Sequence, residues 1–322
     1  MEILLADTWG MCKGLRLIMH RTHQTLRQRS EEQVFIYRSL VHNEQAHKEL
    51  FDMGVQGIVK NVQEIPLGAT VIVGPHSASA IELKHLKDRA VLIDTSCRDV
   101  IRVLDAARQH HATGHCIVFV GLSNHEEAIS ILTEFPDTLI VSNESDVVKV
   151  PRDAPLALIS QSTGTKELFD KIANLLKEDA SNVTVDCTVC NETHVRQVAA
   201  AKLVEKCDTV IVVGGKKSHN TNELANTCRR AAKVHLIETA DELQIDWFNH
   251  ETVVGVTAGA STPDNIVAEV VQRLNEIATL LEGQQRHRLQ NKLRWFFAYT
   301  KIKFIDTTLL IFQRASILIK FK

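Results

Sequence analysis

Three aliphatic or β-branched runs in this sequence each end on a cysteine, and that repetition constrains the fold more than any other feature. Ile3-Leu4-Leu5 leads through a glycine-containing turn to Cys12 in MEILLADTWGMCKG, Ala90–Cys97 reads AVLIDTSC, and Asn182–Cys190 reads NVTVDCTVC. The separations are similar, 85 residues from 12 to 97 and 93 residues from 97 to 190. Runs of this length and composition predict short strands. A cysteine following each would sit at the carboxyl end of a strand, where open parallel sheets place their ligands. The pattern predicts three comparable α/β units, 1–97, 98–190 and 191–282, each contributing one thiol to a shared centre. The first strand and the Cys12 loop are expected at that centre, and 283–322 is expected to form a tail outside it.

Composition narrows the function classes. A chain of 322 residues with 44% hydrophobic content can bury a sizeable core, and a formal net charge of -2 argues against nucleic acid as its main partner. Seven cysteines, an odd number, without an N-terminal signal peptide point to a reducing cytoplasm, where clustered thiols are more often metal-binding or catalytic than paired. No uninterrupted apolar run reaches the roughly 18 residues of a spanning helix.

Histidines and small-residue turns recur at other expected strand ends. VFIY (34–37) is followed by His42-Asn43, Ala69–Val73 by Pro75-His76-Ser77, and Ile117–Val120 by Asn124-His125-Glu126-Glu127. A lone histidine in such a place is more often a surface or capping residue. Ser160-Gln161-Ser162-Thr163-Gly164 precedes an expected helix, Lys166–Leu176, which it would cap unless it faces a ligand. The strand Thr209–Val213 runs into Gly214–Asn222, containing Ser218, His219 and Asn220, with a helix expected from about Asn222. Val253–Val256 gives onto Thr257–Asp264, containing Ser261, before a helix over Asn265–Leu281. Both turns suit an anion at a helix N-terminus, and both equally suit a solvated loop. The 283–322 tail holds nine Lys or Arg against one acid, with Trp295, Phe296 and Phe297. It reads as a membrane-surface or partner-binding extension, or as one that stays apart from the fold.

Three dispersed cysteines do not make a zinc ribbon, which needs paired C-x-x-C ligands. Cys187-Thr188-Val189-Cys190 is one such pair, a redox or zinc half-site without a second pair. Three thiolates do suit an iron–sulfur cluster with one iron left open; buried free cysteines that only pack are the alternative.

The order of these motifs resembles the 4-hydroxy-3-methylbut-2-enyl diphosphate reductase (LytB) family across roughly Met1–Leu281. The motifs that carry the resemblance are Gly10-Met11-Cys12-Lys13-Gly14, Val41-His42-Asn43, Pro75-His76-Ser77, Asp94-Thr95-Ser96-Cys97, Asn124–Glu127, Thr188-Val189-Cys190 with Arg196-Gln197, and the pair Ser218–Asn222 and Thr257–Asp264. The resemblance implies a trefoil of three pseudo-equivalent α/β domains with small parallel sheets around a [4Fe–4S] cluster on Cys12, Cys97 and Cys190. It implies a two-electron reductive dehydroxylation yielding isopentenyl and dimethylallyl diphosphates, the last step of the methylerythritol phosphate route, fed by ferredoxin or flavodoxin. By position, His42, His76, Ser218, His219, Asn220 and Ser261 would bind the diphosphate, with His125 beside them. Glu127 would deliver protons and Ser162 would hold the substrate hydroxyl.

Those residue types suit the chemistry. A diphosphate needs imidazole, amide and hydroxyl donors, and a carboxyl in a dry pocket can stay protonated near neutral pH. The chain departs from the family pattern at Ser77 (usually Gly), Arg98 (Pro), Glu126 (Pro), Ser162 (Thr) and His219 (Ser). Two functions remain to be distinguished: a cytoplasmic reductase, and a divergent relative that keeps the cluster or the diphosphate pocket for sensing or binding. Retention of Glu127 favours the reductase.

Overall fold

The structure, a computed structural model, describes residues 1–319 except 42, 77, 181 and 231, with side chains through 293. His42 and Ser77, both singled out in the sequence, lie outside the described residues, as do the side chains of Trp295, Phe296 and Phe297.

Among the described residues, three four-stranded sheets, every pairing parallel, account for the strands. The chain opens with β1 (Glu2–Leu5) and α1 (Lys13–Gln28). The first complete sheet follows, from β2 (Val34–Tyr37), α2 (Glu44–Asp52), β3 (Val55–Val59), β4 (Thr70–Val73), α3 (Ala80–Arg89) and β5 (Val91–Asp94), in the order β3-β2-β4-β5. After α4 (Arg98–Ala112) come β6 (Cys116–Val120), α5 (Glu126–Glu134), β7 (Leu139–Val141), β8 (Leu156–Ser160), α6 (Lys166–Asp179) and β9 (Val183–Val185), in the order β7-β6-β8-β9. After α7 (Asn191–Val204) the last unit is β10 (Thr209–Val213), α8 (His219–Arg229), β11 (Lys233–Ile237), β12 (Val253–Ala258) and α9 (Asp264–Ile319).

The third sheet has the order β1-β12-β10-β11, with Glu2 opposite Val253. Division by sequence grouped the first strand with 1–97; its hydrogen bonds instead complete the sheet of the third unit. The reason is geometric. Each unit needs one edge strand that delivers a cysteine; β5 and β9 serve the first two sheets, and the chain supplies the third from its own start.

Edge and inner strands differ as their residues demand. In β4, Val71, Ile72 and Val73 are fully buried, as are Leu156–Ile159 in β8 and Val210–Val213 in β10. Full burial of each such side chain contributes about 1.5–3 kcal/mol relative to exposure, so these strands are fixed by helices on both faces. The cysteine-bearing edges β1, β5 and β9 are only partly covered; Leu5 and Val91 are exposed. Their placement comes from pairing with an inner neighbour.

Arg38 ties the first two units together. Its main chain is left-handed (φ 62°), which costs a non-glycine residue about 1–2 kcal/mol. Its buried guanidinium donates to Glu82 Oε1 at 2.8 Å and, across the units, to Ser130 Oγ on α5 at 2.6 Å. These charge-assisted bonds offset the strain.

The last helix runs on where the sequence predicted an end at Leu281. Ile266, Val267, Val270, Leu274 and Ile277 form its buried stripe against the third sheet. Beyond it Leu289 and Leu293 are exposed. Gly283 interrupts propensity by only about 1 kcal/mol and no proline follows, so nothing local stops the helix. None of the helices, searched over the described residues, is long and apolar enough to cross a membrane.

Candidate active site

The three predicted thiols occupy equivalent positions. Cys12 is the N-cap of α1, Cys97 of α4 and Cys190 of α7. Each follows the edge strand of a different sheet, and all three line one cavity of about 90 Å³. Gly14 forms a cradle beside two of them: a Cβ there would lie 3.7 Å from Cys97 Sγ and 3.8 Å from Cys12 Sγ. All three are free thiols, and burial pushes the pKa of each upward, that of Cys190 to about 12. Cys190 Sγ donates to Asp99 Oδ2 at 3.1 Å, a second reason for its thiol form.

Three helix N-termini at one cavity favour negative charge there. Soft ligands, a cradle without a side chain and three helix N-termini at one cavity fit an iron–sulfur cluster on three thiolates. Cys187, the other half of the C-x-x-C pair, is exposed and is not part of the cavity lining.

Inner strands furnish the polar wall. Pro75-His76 follows β4, His125 follows β6, Ser162 follows β8, Ser218–Asn220 follow β10 and Ser261 follows β12; each of these side chains lines the cavity. Two of these loops rely on close packing through glycine. Gly214 has φ 148°, and a Cβ there would fall 2.6 Å from Thr262 Oγ1 and 2.9 Å from Thr221 Oγ1. Gly214→Ala is therefore expected to destabilise the protein by at least about 1–3 kcal/mol, read as a lower denaturant midpoint. An unchanged midpoint would mean that the loops after β10 and β12 are not held against each other this way.

The helix after β10 begins three residues earlier than predicted. Ser218 is its N-cap, accepting from Thr221 N–H, which places His219 and Asn220 in the first turn. Both amide atoms of Asn220 are buried without a hydrogen-bond partner, in a side chain that lines the cavity. An orphaned amide is costly unless a ligand completes it, and a donor–acceptor pair at a helix N-terminus suits a phosphate.

Glu127 is 1% exposed and sits in the first turn of α5, two residues after its N-cap, His125. It accepts from Ser162 N–H at 2.8 Å and from Ser162 Oγ at 2.5 Å. Burial raises its pKa, and the nearby His76 and the Ser162 bonds oppose that shift without reversing it. The carboxyl is thus poised to hold a proton. Ser162, predicted to hold a substrate hydroxyl, is bonded to the predicted proton donor instead of standing apart from it. Glu126, the rival acid, borders a separate cleft with Lys217 and Asn222.

His76, His125 and Glu127 also offer ligand atoms within 4.8 Å of one another, as a metal site would. His125 and Glu127 have hydrogen-bond partners of their own. His125 Nδ1 already accepts from Glu127 N–H at 3.2 Å, and Ser162 engages both carboxyl oxygens.

His76 lies edge-on to His125 with ring centres 5.2 Å apart. Burial first, then His125, push its pKa down to about 4 from an ordinary value near 6.5. A depressed folded-state pKa means stability that is present above about 6.5 and lost as pH falls toward 4. The full contribution is about 3 kcal/mol. His76→Asn is expected to flatten the fall in unfolding free energy between pH 6.5 and 4; an equally steep fall would contradict a neutral buried His76.

The turn Ser160–Gly164, which the sequence offers as a cap or a ligand-facing loop, brings Gln161 and Thr163 to this site, and Asp99 joins them without a role expected from the sequence. Gln161 is fully buried between β6 and β8, and Thr163 contacts His219. Only the run of polar residues after a strongly apolar strand hinted at them. Arg98, where the resemblance expects proline, is exposed at the first position of α4, a place where proline is favoured but not required.

Comparison with known proteins places this arrangement. The family model described as LytB protein matches residues 3–275. A 4-hydroxy-3-methylbut-2-enyl diphosphate reductase of Caldanaerobacter subterraneus subsp. tengcongensis is 30% identical over 281 residues, covering 86% of this chain and 98% of the relative. One from Helicobacter pylori is 31% identical over 280 residues, covering 86% and 100%. Among solved structures, the Plasmodium falciparum E-1-hydroxy-2-methyl-but-2-enyl-4-diphosphate reductase superposes with a TM-score of 0.79 at 26% identity, over 84% of this chain and 87% of that one. A second, an (E)-4-hydroxy-3-methyl-but-2-enyl diphosphate reductase described as the terminal enzyme of the non-mevalonate pathway, gives 0.63 at 30% identity, over 86% and 100%. These solved structures share the fold of three small parallel sheets, and the chain belongs to the LytB protein family.

Proposed function

We propose that this chain is a 4-hydroxy-3-methylbut-2-enyl diphosphate reductase that carries a [4Fe–4S] cluster on Cys12, Cys97 and Cys190. The observation that supports it most is the convergence, in one cavity, of three thiols from three sheets with an orphaned amide and with Ser162, whose N–H and hydroxyl bond the buried Glu127 carboxyl. When bound, the cluster supplies Lewis acidity at the iron that lacks a protein ligand, and a relay for two electrons.

The chain's own residues do the rest. His76, Ser218, His219, Asn220 and Ser261, with His42, hold the diphosphate and so orient the substrate's hydroxyl-bearing end toward Glu127. His125 closes the same wall. Glu127 keeps its proton at Oε1 or Oε2, steered by the Ser162 hydroxyl, and gives it up where water departs. Ser162 passes between holding Glu127 and contacting the substrate hydroxyl. The apolar remainder of the lining, Leu15, Leu40, Val41 and Val100, excludes water that would discharge the proton elsewhere. A ferredoxin or flavodoxin is the electron donor, in the cytoplasm.

The test is product analysis after anaerobic reconstitution with a chemical reductant and the diphosphate substrate. Isopentenyl and dimethylallyl diphosphates should both form. Substrate binding without product would replace the reductase with a sensing or binding relative.

A further inference from the structure

His219 stands where the family resemblance expects a serine, and the structure shows what holds its ring. Leu122 N–H donates to Gln161 Oε1 at 3.1 Å. A main-chain N–H can only donate, so this bond fixes Oε1 as the carbonyl oxygen and Nε2 as the amide nitrogen. Gln161 Nε2 then donates to Thr163 Oγ1 at 2.6 Å and lies 3.0 Å from His219 Nδ1. Thr163 Oγ1, having accepted from the amide, has its own proton for His219 Nδ1, 3.1 Å away. Both side-chain partners of Nδ1 are donors, which favours a bare Nδ1 and places the single ring proton on Nε2.

The support is rigid. Gln161 is fully buried, and a Cβ on Gly121 would come within 2.8 Å of both its Cβ and its Oε1, so glycine there leaves the amide its place. Burial favours the neutral ring; Glu223, Glu127 and the Thr163 main-chain carbonyl pull the other way. His125 also faces it, ring centres 6.0 Å apart.

We propose that Gln161 is a positioning residue that fixes His219 as the neutral Nε2–H tautomer, so that the first turn of α8 offers a ring N–H to a diphosphate group in the cavity. The donor role rests on the reductase reading; the tautomer does not. At this place a serine hydroxyl can donate or accept as it rotates. The locked imidazole only donates from Nε2, which discriminates in favour of an acceptor-only ligand such as a diphosphate oxygen.

The experiment is nitrogen-15 NMR of histidine side chains in the metal-free full-length protein, at pH 7.5 and through a pH titration, with inorganic diphosphate as the probe. In the wild type, His219 should show an unprotonated Nδ1 and a protonated Nε2, and diphosphate should shift the Nε2 signal. Gln161→Glu puts a carboxylate oxygen against Nδ1; it should move a proton onto Nδ1 and raise the His219 midpoint by roughly 1–3 pH units. Thr163→Val removes one of the two donors and should leave the tautomer in place through Gln161 alone. Unchanged His110 and His235 signals identify a variant that has kept its fold.

A wild-type His219 protonated at Nδ1, or a His219 spectrum unmoved by Gln161→Glu, overturns the proposal. An Nε2–H tautomer indifferent to diphosphate overturns the donor role. Failure of turnover with tautomer and diphosphate response both intact counts against the reductase reading alone.

Discussion

Cys190→Ser should yield a folded protein that has lost essentially all of the brown visible absorbance of a reconstituted cluster, and with it all turnover. The expectation follows from the position that the thiol occupies. Cys190 is the N-cap of α7, with extended backbone (φ -67°, ψ 132°), and serine is among the preferred residues at such a cap. The helix therefore survives the change while a soft sulfur ligand becomes a hard, poorly ligating hydroxyl. The same holds for Cys12 and Cys97, which cap α1 and α4. Serine at Cys116, Cys207 or Cys228 should leave iron content unchanged; Cys228, for example, is buried in the apolar cluster between α8 and β10. Serine at the exposed Cys187 should also be without effect. Iron and sulfide analysis of the purified variants decides it. Full content in Cys190→Ser, or loss in Cys187→Ser, would assign the third ligand to the wrong cysteine.

Glu127→Gln should bind the diphosphate substrate about as well as the wild type and lose roughly 10²–10⁴ in turnover, the usual contribution of a general acid. The amide fits the site it replaces. Its oxygen can accept from Ser162 N–H, as Oε2 does, while its NH₂ donates to Ser162 Oγ in place of the present bond to Oε1. What it lacks is a transferable proton, which is needed in the transition state and not for binding. Glu126→Gln should be close to wild type, because Glu126 borders the neighbouring cleft. Single-turnover rates with separately measured substrate affinity distinguish the two. A large effect in Glu126→Gln with none in Glu127→Gln would reverse the assignment of the acid.

Local sequence carried much of this site because its parts follow strands directly. Cys97 and Cys190 come a few residues after β5 and β9, and His76 and His125 after β4 and β6, so strand ends marked by β-branched runs located them. The partner of β1 was not legible. Glu2 pairs with Val253, and nothing local in either segment distinguishes a strand that opens a unit from one that closes a sheet formed at the far end of the chain. The start of α8 was misplaced because the glycines and lysines before Ser218 read as loop, whereas Ser218 already caps the helix. The part played by Gln161 was not legible for a different reason. Its role lies in three hydrogen bonds to Leu122, Thr163 and His219, brought together by the loops after β6, β8 and β10, and no spacing in the sequence encodes them. The continuation of α9 past Gly283 shows the limit of glycine as a stop signal when neither a proline nor a cap follows it.

The central claim is that one cavity unites three thiols and a diphosphate wall, with the buried Glu127 carboxyl bonded to that wall through Ser162. Its most direct test is an anaerobic crystal structure of the reconstituted wild-type protein with bound substrate, with the metal located by anomalous scattering at the iron edge. The account predicts iron held by Cys12, Cys97 and Cys190, phosphate oxygens against His76, Asn220 and Ser261, and the Glu127–Ser162 pair beside the substrate's carbon–oxygen bond. Iron at Cys187, or a lone metal on His76, His125 and Glu127 with the three thiols empty, would contradict it.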